Sequence, residues 1–213
     1  MYKLYWSRRT GAFAVETALT LCGAPFERER VDHKAGEHRA PAFLAINPAG
    51  QIPALALPDG QLMTESAAMV LHLADAYPDS GFWPTDTAKR ATAYRWLVFA
   101  SAQLYETDLR YSYADRYTTA PDGAEGVRQA AYAHVDRLWS MVAQVLTPGP
   151  FFFGEALTLL DPYVAMVAAW HYDLPRLCAA EPRVHALLEA VTAHPEVGPI
   201  WRRYELPMPA LAA

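Results

Sequence analysis

What most limits the folds open to this chain is the stretch 54–63, where two apolar runs, Ala54-Leu55-Ala56-Leu57 and Gln61-Leu62-Met63, flank Pro58-Asp59-Gly60. Asp-Gly between apolar runs specifies a tight β-hairpin, because the turn needs positive φ and these residues reach it at least cost. Upstream, residues 2–6 (YKLYW) form a short aromatic-rich run that reads as a strand. Residues 13–22 place Val15, Leu19 and Cys22 on one helical face, and Gly23-Ala24-Pro25 stops that helix. Residues 26–31 (FERERV) read as a second strand whose charges place it near an edge. Residues 33–39 are polar and loop-like, and 41–46 hold one or two helical turns. After the hairpin, residues 65–77 bring Met69, Leu73 and Ala76 to one face of a helix. The order is therefore βαβαββα. A helical crossover between the first two strands implies parallel pairing, and the hairpin adds an antiparallel edge.

Residues 78–86 (PDSGFWPTD) form a linker rich in Pro and Gly, and everything beyond reads helical. Residues 87–117 make one long helical stretch, broken or bent. In the next helix Val127, Ala131, Val135, Leu138, Val142 and Val145 recur at steps of three and four, ending at Thr147-Pro148-Gly149-Pro150. Residues 159–177 are apolar nearly all round and are expected to form one buried central helix. Two short helices follow at 181–192 and 196–203, then an irregular tail with two prolines. The expected organisation is a first domain over 1–77, a linker over 78–86 and an all-helical domain over 87–213.

Composition narrows the function classes. At 213 residues the chain is long for one domain and comfortable for two. No stretch approaches the ~20 apolar residues of a membrane helix, and the N-terminus has no signal-peptide design. The net charge of −5, with no basic stripe, argues against nucleic acid as a partner. Cys22 and Cys178 belong to no CxxC or metal-spaced set, so no metal site is expected. Two separate thiols suit a reducing compartment, and the expected location is the cytoplasm. Both read as small core residues.

Two short segments can carry chemistry. Pro53 stands at the start of a strand, where a backbone N–H would ordinarily pair, so this point lies at an edge or a special turn. A cis Ile52-Pro53 bond would leave the N–H and C=O of Ile52 outside the sheet, open to an extended peptide. A plain trans-proline turn is the alternative. Further on, Glu65-Ser66 opens a helix directly after a strand. The free N–H groups and positive dipole at that end suit a carboxylate, with Ser66 as donor, while Glu65 offers a partner to an ammonium. Together they match an α-amino-acid head group; a simple helix cap is the alternative.

Taken together, Asn47-Pro48-Ala49-Gly50-Gln51-Ile52-Pro53-Ala54-Leu55, a hairpin, and Thr64-Glu65-Ser66 at a helix start resemble the glutathione-binding half of the glutathione S-transferases. YKLYWSRRTGAFAVETALTLCGAPFERERVD is similar to that family's first strand, first helix and second strand. Residues 154–163 (GEALTLLDPY) resemble its helix-capping motif before a buried helix. The likeness covers nearly the whole chain. It implies a thioredoxin-like N-terminal α/β domain and an all-α C-terminal domain, with glutathione as co-substrate and a homodimeric assembly.

The resemblance also implies residue roles. Gln51, Ile52 and Pro53 would hold the cysteinyl backbone of glutathione, and Glu65 and Ser66 its γ-glutamyl head. Lys34 and His38, after the second strand, are candidates for the glycyl carboxylate, with solvated surface as the alternative. Activation of the thiol is the physical problem. A free thiol has a pKa near ~8.5, and lowering it by one unit takes about 1.4 kcal/mol of preferential stabilisation. A hydroxyl at the N-terminus of the first helix can contribute to this. Compared with the bacterial cysteine-using type, the cysteine position falls on Gly11, the following serine on Ala12, and the strand-end tyrosine on Trp6. A mixed-disulfide mechanism in this loop is thereby excluded. Ser7 is the first candidate activator, Thr10 the second and Tyr5 the third, with Arg8 or Arg9 able to act by charge. Helix capping is the alternative for Ser7 and Thr10.

A small electrophile would be the second substrate, meeting the sulfur between the domains. Trp6, Tyr105, Arg110 and Tyr111 are the candidates for its pocket, with core or surface packing as the alternative for each. Thr158 and Asp161 read as structural: either a Thr cap with an acidic partner three residues on, or an Asp cap with Pro162 at the first helical position. The chain reads as an enzyme that activates the glutathione thiol. A glutathione- or apolar-ligand-binding protein without turnover, and an interaction module of the same fold, are the alternatives. Retention of Ile52-Pro53 and Glu65-Ser66 favours a working glutathione site.

Overall fold

The computed structural model describes residues 1–146 and 149–208. By their contacts the residues fall into two units. The first is Met1–Pro84 together with Ala193–Leu206, and the second begins at Thr85 and runs to Thr192. Residues 193–206 were expected within the helical domain. Their hydrophobic side chains explain the difference: Trp201 and Tyr204 bury their rings against Phe13, at 5.2 and 5.8 Å between centroids.

In the first unit, β1 (Tyr2–Trp6), β2 (Phe26–Arg30), β3 (Ala54–Ala56) and β4 (Leu62–Met63) form one sheet in the order β2-β1-β3-β4. β1 and β2 pair in parallel, as the crossover through α1 (Ala12–Leu21) dictates. β3 pairs antiparallel with β1 and with β4. The hairpin closes through Leu57 and Gln61, with Gly60 at φ 89°. β2 is an edge strand, and its charged residues after Phe26 are exposed. Helix α1 packs against α3 (Ser66–Ala76) and α10 (Val197–Arg203). Tyr5 lies on the sheet face opposite Leu4 and meets Phe43 of the short α2 (Pro41–Leu44) edge-on at 6.1 Å. This is the thioredoxin-like arrangement that the resemblance implied. Cys22, expected in the core, is only half-buried beside Ser80, whereas Cys178 is buried.

The second unit is helical: α4 (Thr87–Phe99), α5 (Glu106–Ser112), α6 (Ala124–Val145), α7 (Leu160–Ala168), α8 (Leu174–Ala180) and α9 (Pro182–Ala193). The Asp86 side chain caps α4 by accepting the Lys89 N–H at 2.9 Å. The stretch 87–117 is interrupted as anticipated, by a π-helical segment Ala100–Tyr105 and a final 3₁₀ turn Ala114–Tyr117. Thr147 and Pro148, expected to end α6, lie outside the described residues, as do 209–213 of the tail. The continuous helix expected over 159–177 does not form. It splits into α7 and α8, because Asp173 caps a new helix by accepting the Arg176 N–H at 3.1 Å and Pro175 stands at its start. At the head of α7 the buried Asp161 carboxylate accepts the Thr158 N–H, the Thr158 hydroxyl and the Phe152 N–H, each at 2.7 Å. The acidic residue reaches back to Thr158 as expected, but neither expected cap forms: the Thr158 hydroxyl donates to that carboxylate, and Leu159 stands at the N-cap with no side-chain cap bond. Burial pushes the Asp161 carboxyl up to about 6 against those donors.

Candidate active site

Strand pairing gathers the candidate segments at one end of the sheet. β1 runs into the loop that begins at Ser7, and the antiparallel partner of Tyr5 is Ala54, so Ile52-Pro53 enters β3 at that same end. β2 is parallel to β1 and leads there into residues 33–39. β4 opposes β3, with Met63 against Leu55, so Glu65-Ser66 returns to it as well. The carboxyl end of the parallel strands is where open α/β sheets ordinarily bind ligands.

The Ile52-Pro53 bond is cis. Neither the N–H nor the C=O of Ile52 makes a backbone hydrogen bond among the described residues. The preceding loop is held by Asn47, a buried side chain whose Nδ2 donates to the Gln51 carbonyl at 2.8 Å and whose Oδ1 accepts the Ala49 N–H at 3.1 Å. Gly50 turns there at φ 60°, and a Cβ on it would lie 3.0 Å from the His38 carbonyl oxygen, so only glycine fits. Asn47 had no role assigned from sequence. Its signal is an Asn before Pro-x-Gly, the residue that hydrogen-bonds its own turn.

Ser66 is the first residue of α3, and Glu65 before it adopts φ 65°, ψ 101°. A non-glycine residue in that region persists only where its surroundings hold it, and such residues cluster at ligand sites. Gly11, at the head of α1, completes the group. A Cβ there would stand 3.1 Å from Ser66 Oγ and 3.4 Å from Pro53 Cδ. The start of the first helix, the Pro53 bend and the mouth of α3 are thus in near contact.

The loop between β1 and α1 separates its two hydroxyls. Thr10 Oγ1 donates to the Ser7 carbonyl at 2.8 Å and accepts the Ala12 N–H at 3.4 Å, so it is committed to the turn. Ser7 is 6% exposed, and its carbonyl is the acceptor of that Thr10 bond. Arg8 and Arg9 are both drawn to Glu205: Arg8 Nη1 lies 2.7 Å from its carboxylate and Arg9 Nε donates to its carbonyl at 3.1 Å.

Relatives place this geometry. A family model described as "Glutathione S-transferase, N-terminal domain" matches residues 12–76. The chain is 30% identical over 209 residues to an uncharacterised GST-like protein, YncG, of Escherichia coli, covering 97% of this chain and all of the relative. It belongs to the glutathione S-transferase family. A maleylacetoacetate isomerase of Rhizobium meliloti is also 30% identical, over 90% of this chain and 94% of its own. Among solved structures, a glutathione transferase homologue from Sulfitobacter with bound glutathione superposes with a TM-score of 0.86 at 26% identity, covering 95% of this chain and 98% of that one.

The remaining candidates of this transferase-family chain fall into different settings. Gln51 is exposed beside Ile52. Lys34 is exposed, with its backbone N–H on the Asp32 carboxylate at 3.0 Å. His38 stacks on His33 at 4.2 Å between ring centroids. The Trp6 indole packs on Tyr204 at 5.1 Å, with the Arg28 guanidinium 5.9 Å from its ring. Tyr5 carries Lys3 Nζ at 5.4 Å from its ring and Phe43 on its edge. In the helical unit, Tyr105 meets Trp170 edge-on at 5.1 Å. Arg110 pairs with Glu106 at 3.6 Å and approaches the Tyr117 ring at 5.7 Å. Tyr111 is buried and donates to the Trp170 carbonyl at 2.9 Å, which is the core reading of that residue. Among the described residues no cluster of His, Cys, Asp and Glu can hold a metal ion, and no helix is long and apolar enough to cross a membrane.

Proposed function

We propose that this chain is a glutathione transferase that binds glutathione at the Ile52-Pro53 bend and the α3 mouth, and activates its thiol at the loop before α1. The approach of Gly11 to both Ser66 and Pro53 carries this reading, since it joins three segments far apart in sequence. Ile52 offers an N–H and a C=O as strand partners to the cysteinyl unit. Ser66 and the first N–H groups of α3 receive the γ-glutamyl carboxylate, and Glu65 its ammonium. Lys34 and His38 take the glycyl carboxylate. The sulfur then faces the head of α1, where the helix dipole and the Ser7 hydroxyl favour the thiolate over the thiol. The thiolate attacks an electrophilic carbon of a small, largely apolar molecule, for which Tyr105 and Arg110 are the proposed contacts on the helical unit. The protein is taken to work as a cytoplasmic homodimer. Turnover of a chromogenic halo-arene with glutathione tests the reading: a glutathione-dependent rate is expected, and its absence beside measurable glutathione binding would leave a binding protein.

The isomerase name of the Rhizobium meliloti relative supports a second reading of the same site. A thiolate can add to a conjugated double bond, allow rotation about the resulting single bond, and leave again. Glutathione is then regenerated, whereas conjugation consumes it. Free thiol measured through the reaction separates the two.

A further inference from the structure

We propose that the turn at residues 203–205, which ends α10, is a positioning element for the thiol-activating loop, acting on it through Arg8, Arg9 and Trp6. The turn is anchored from below by Glu16. This α1 residue is 1% exposed, and its carboxylate accepts from Arg203, from the Tyr204 hydroxyl at 2.8 Å and from Arg28 of β2 at 2.9 Å. A buried carboxylate persists when donors satisfy it in this way, and the three donors in turn lose their freedom to move. The Tyr204 ring is pressed between Trp6 and Phe13, and Trp201 Nε1 donates to the Leu206 carbonyl at 3.1 Å, which closes the chain after the turn.

The anchored turn then holds the loop by several contacts. The Arg9 N–H donates to the Tyr204 carbonyl at 3.1 Å, and Arg9 Nε to the Glu205 carbonyl at 3.1 Å. Arg8 pairs with the Glu205 carboxylate at 2.7 Å. Arg9 and Glu205 both adopt left-handed backbone, at φ 54° and φ 52°. Neither is glycine, and such conformations persist where the surrounding structure over-determines them. The two facing turns therefore fix each other. Ser7 lies just before the clamped pair and Gly11 two residues beyond it, so the path of the loop sets where the Ser7 hydroxyl stands relative to Pro53 and Ser66. Arg8 spends its charge on the clamp and Arg9 its Nε–H and backbone N–H, and their part in thiol activation is to place Ser7.

The proposal rests on the transferase reading, and its test separates the two. The ultraviolet absorbance of the thiolate is titrated for glutathione bound to the wild-type protein, to Arg8→Ala, to Glu205→Ala and to the double variant. Positioning predicts that either single change raises the thiol pKa by about half a unit, the scale of one exposed ion pair, and that the double change raises it no further. Glutathione affinity stays near wild type, and Arg8→Lys restores most of the shift. A direct effect of charge predicts the opposite pattern: loss of Arg8 raises the pKa, loss of Glu205 lowers it, and the double change cancels. That pattern, or unmoved titrations in variants that still bind glutathione, overturns the positioning role and leaves the transferase reading standing. Absence of glutathione binding by the wild-type protein overturns both.

Discussion

Gly11 and Ser66 lie 55 positions apart in the chain, yet a methyl group on the first would stand 3.1 Å from the hydroxyl oxygen of the second. The φ of Gly11 is −58°, so its backbone would accept any side chain, and the restriction comes from space alone. Gly11→Val should therefore fold, and should push Ser66 and Pro53 away from the head of α1. We expect glutathione affinity to fall about tenfold, the scale of one lost hydrogen bond to a charged group, with a loss of stability of about 1–3 kcal/mol from overpacking. Calorimetric titration of the variant checks this, and an unchanged affinity would remove the α1–α3 approach from the binding site.

The two hydroxyls of the activating loop should behave differently. Thr10 is spent on the Ser7 carbonyl and the Ala12 N–H, so Thr10→Ala should lower stability by about 1 kcal/mol, as for a lost helix cap, and leave the bound thiol titrating as before. Ser7→Ala should raise the pH at which bound glutathione ionises while leaving its affinity near wild type. Thiolate absorbance against pH distinguishes them. An identical titration in Ser7→Ala would move the role of activator to another group.

A buried acid outside the glutathione site gives a stability prediction. Asp108 in α5 is 7% exposed, and its Oδ1 accepts no hydrogen bond among the described residues. Burial raises its carboxyl from 3.8 to about 7. The folded state therefore keeps this proton through a range in which the unfolded chain has released it. Stability from this group is fully present below the unfolded value and is lost as pH rises through the folded one. At pH 8 the penalty is on the order of a few kcal/mol. Asp108→Asn, which mimics the neutral acid, should raise the melting temperature at pH 8 by several degrees and change little at pH 4. An equal effect at both values would contradict the assignment.

Much of the first unit was legible because its signals are local. Asp59-Gly60 fixed the hairpin, the helical run between two strand-like runs fixed the parallel pair, and the charges of residues 27–30 marked β2 as an edge. The helical unit was read less well where one apolar run spans two helices. The pattern over 159–177 continues through Ala169 and Trp170, and hides the restart signalled by Asp173 and Pro175. At the candidate site, Ile52-Pro53 and Glu65-Ser66 stood out only in combination, through their spacing and likeness to the family motif, since a trans-proline turn or a plain helix cap accounts for either one alone. What stayed hidden depends on contacts between distant residues. Glu16 in a helix interior gives no sign that Arg203 and Tyr204 will meet it, nor do Arg8 and Arg9 point to Glu205. The role of Gly11 emerges only once α3 is beside α1.

The proposed activity requires that Ile52, Glu65 and Ser66 hold glutathione. Isothermal titration of reduced glutathione into the wild-type protein and into Ser66→Ala tests this most directly. The predicted result is saturable heat with one site per chain, and affinity roughly ten- to a hundredfold weaker in the variant, from loss of a donor to a carboxylate. No heat in the wild-type titration, or equal affinity in the two proteins, would contradict it.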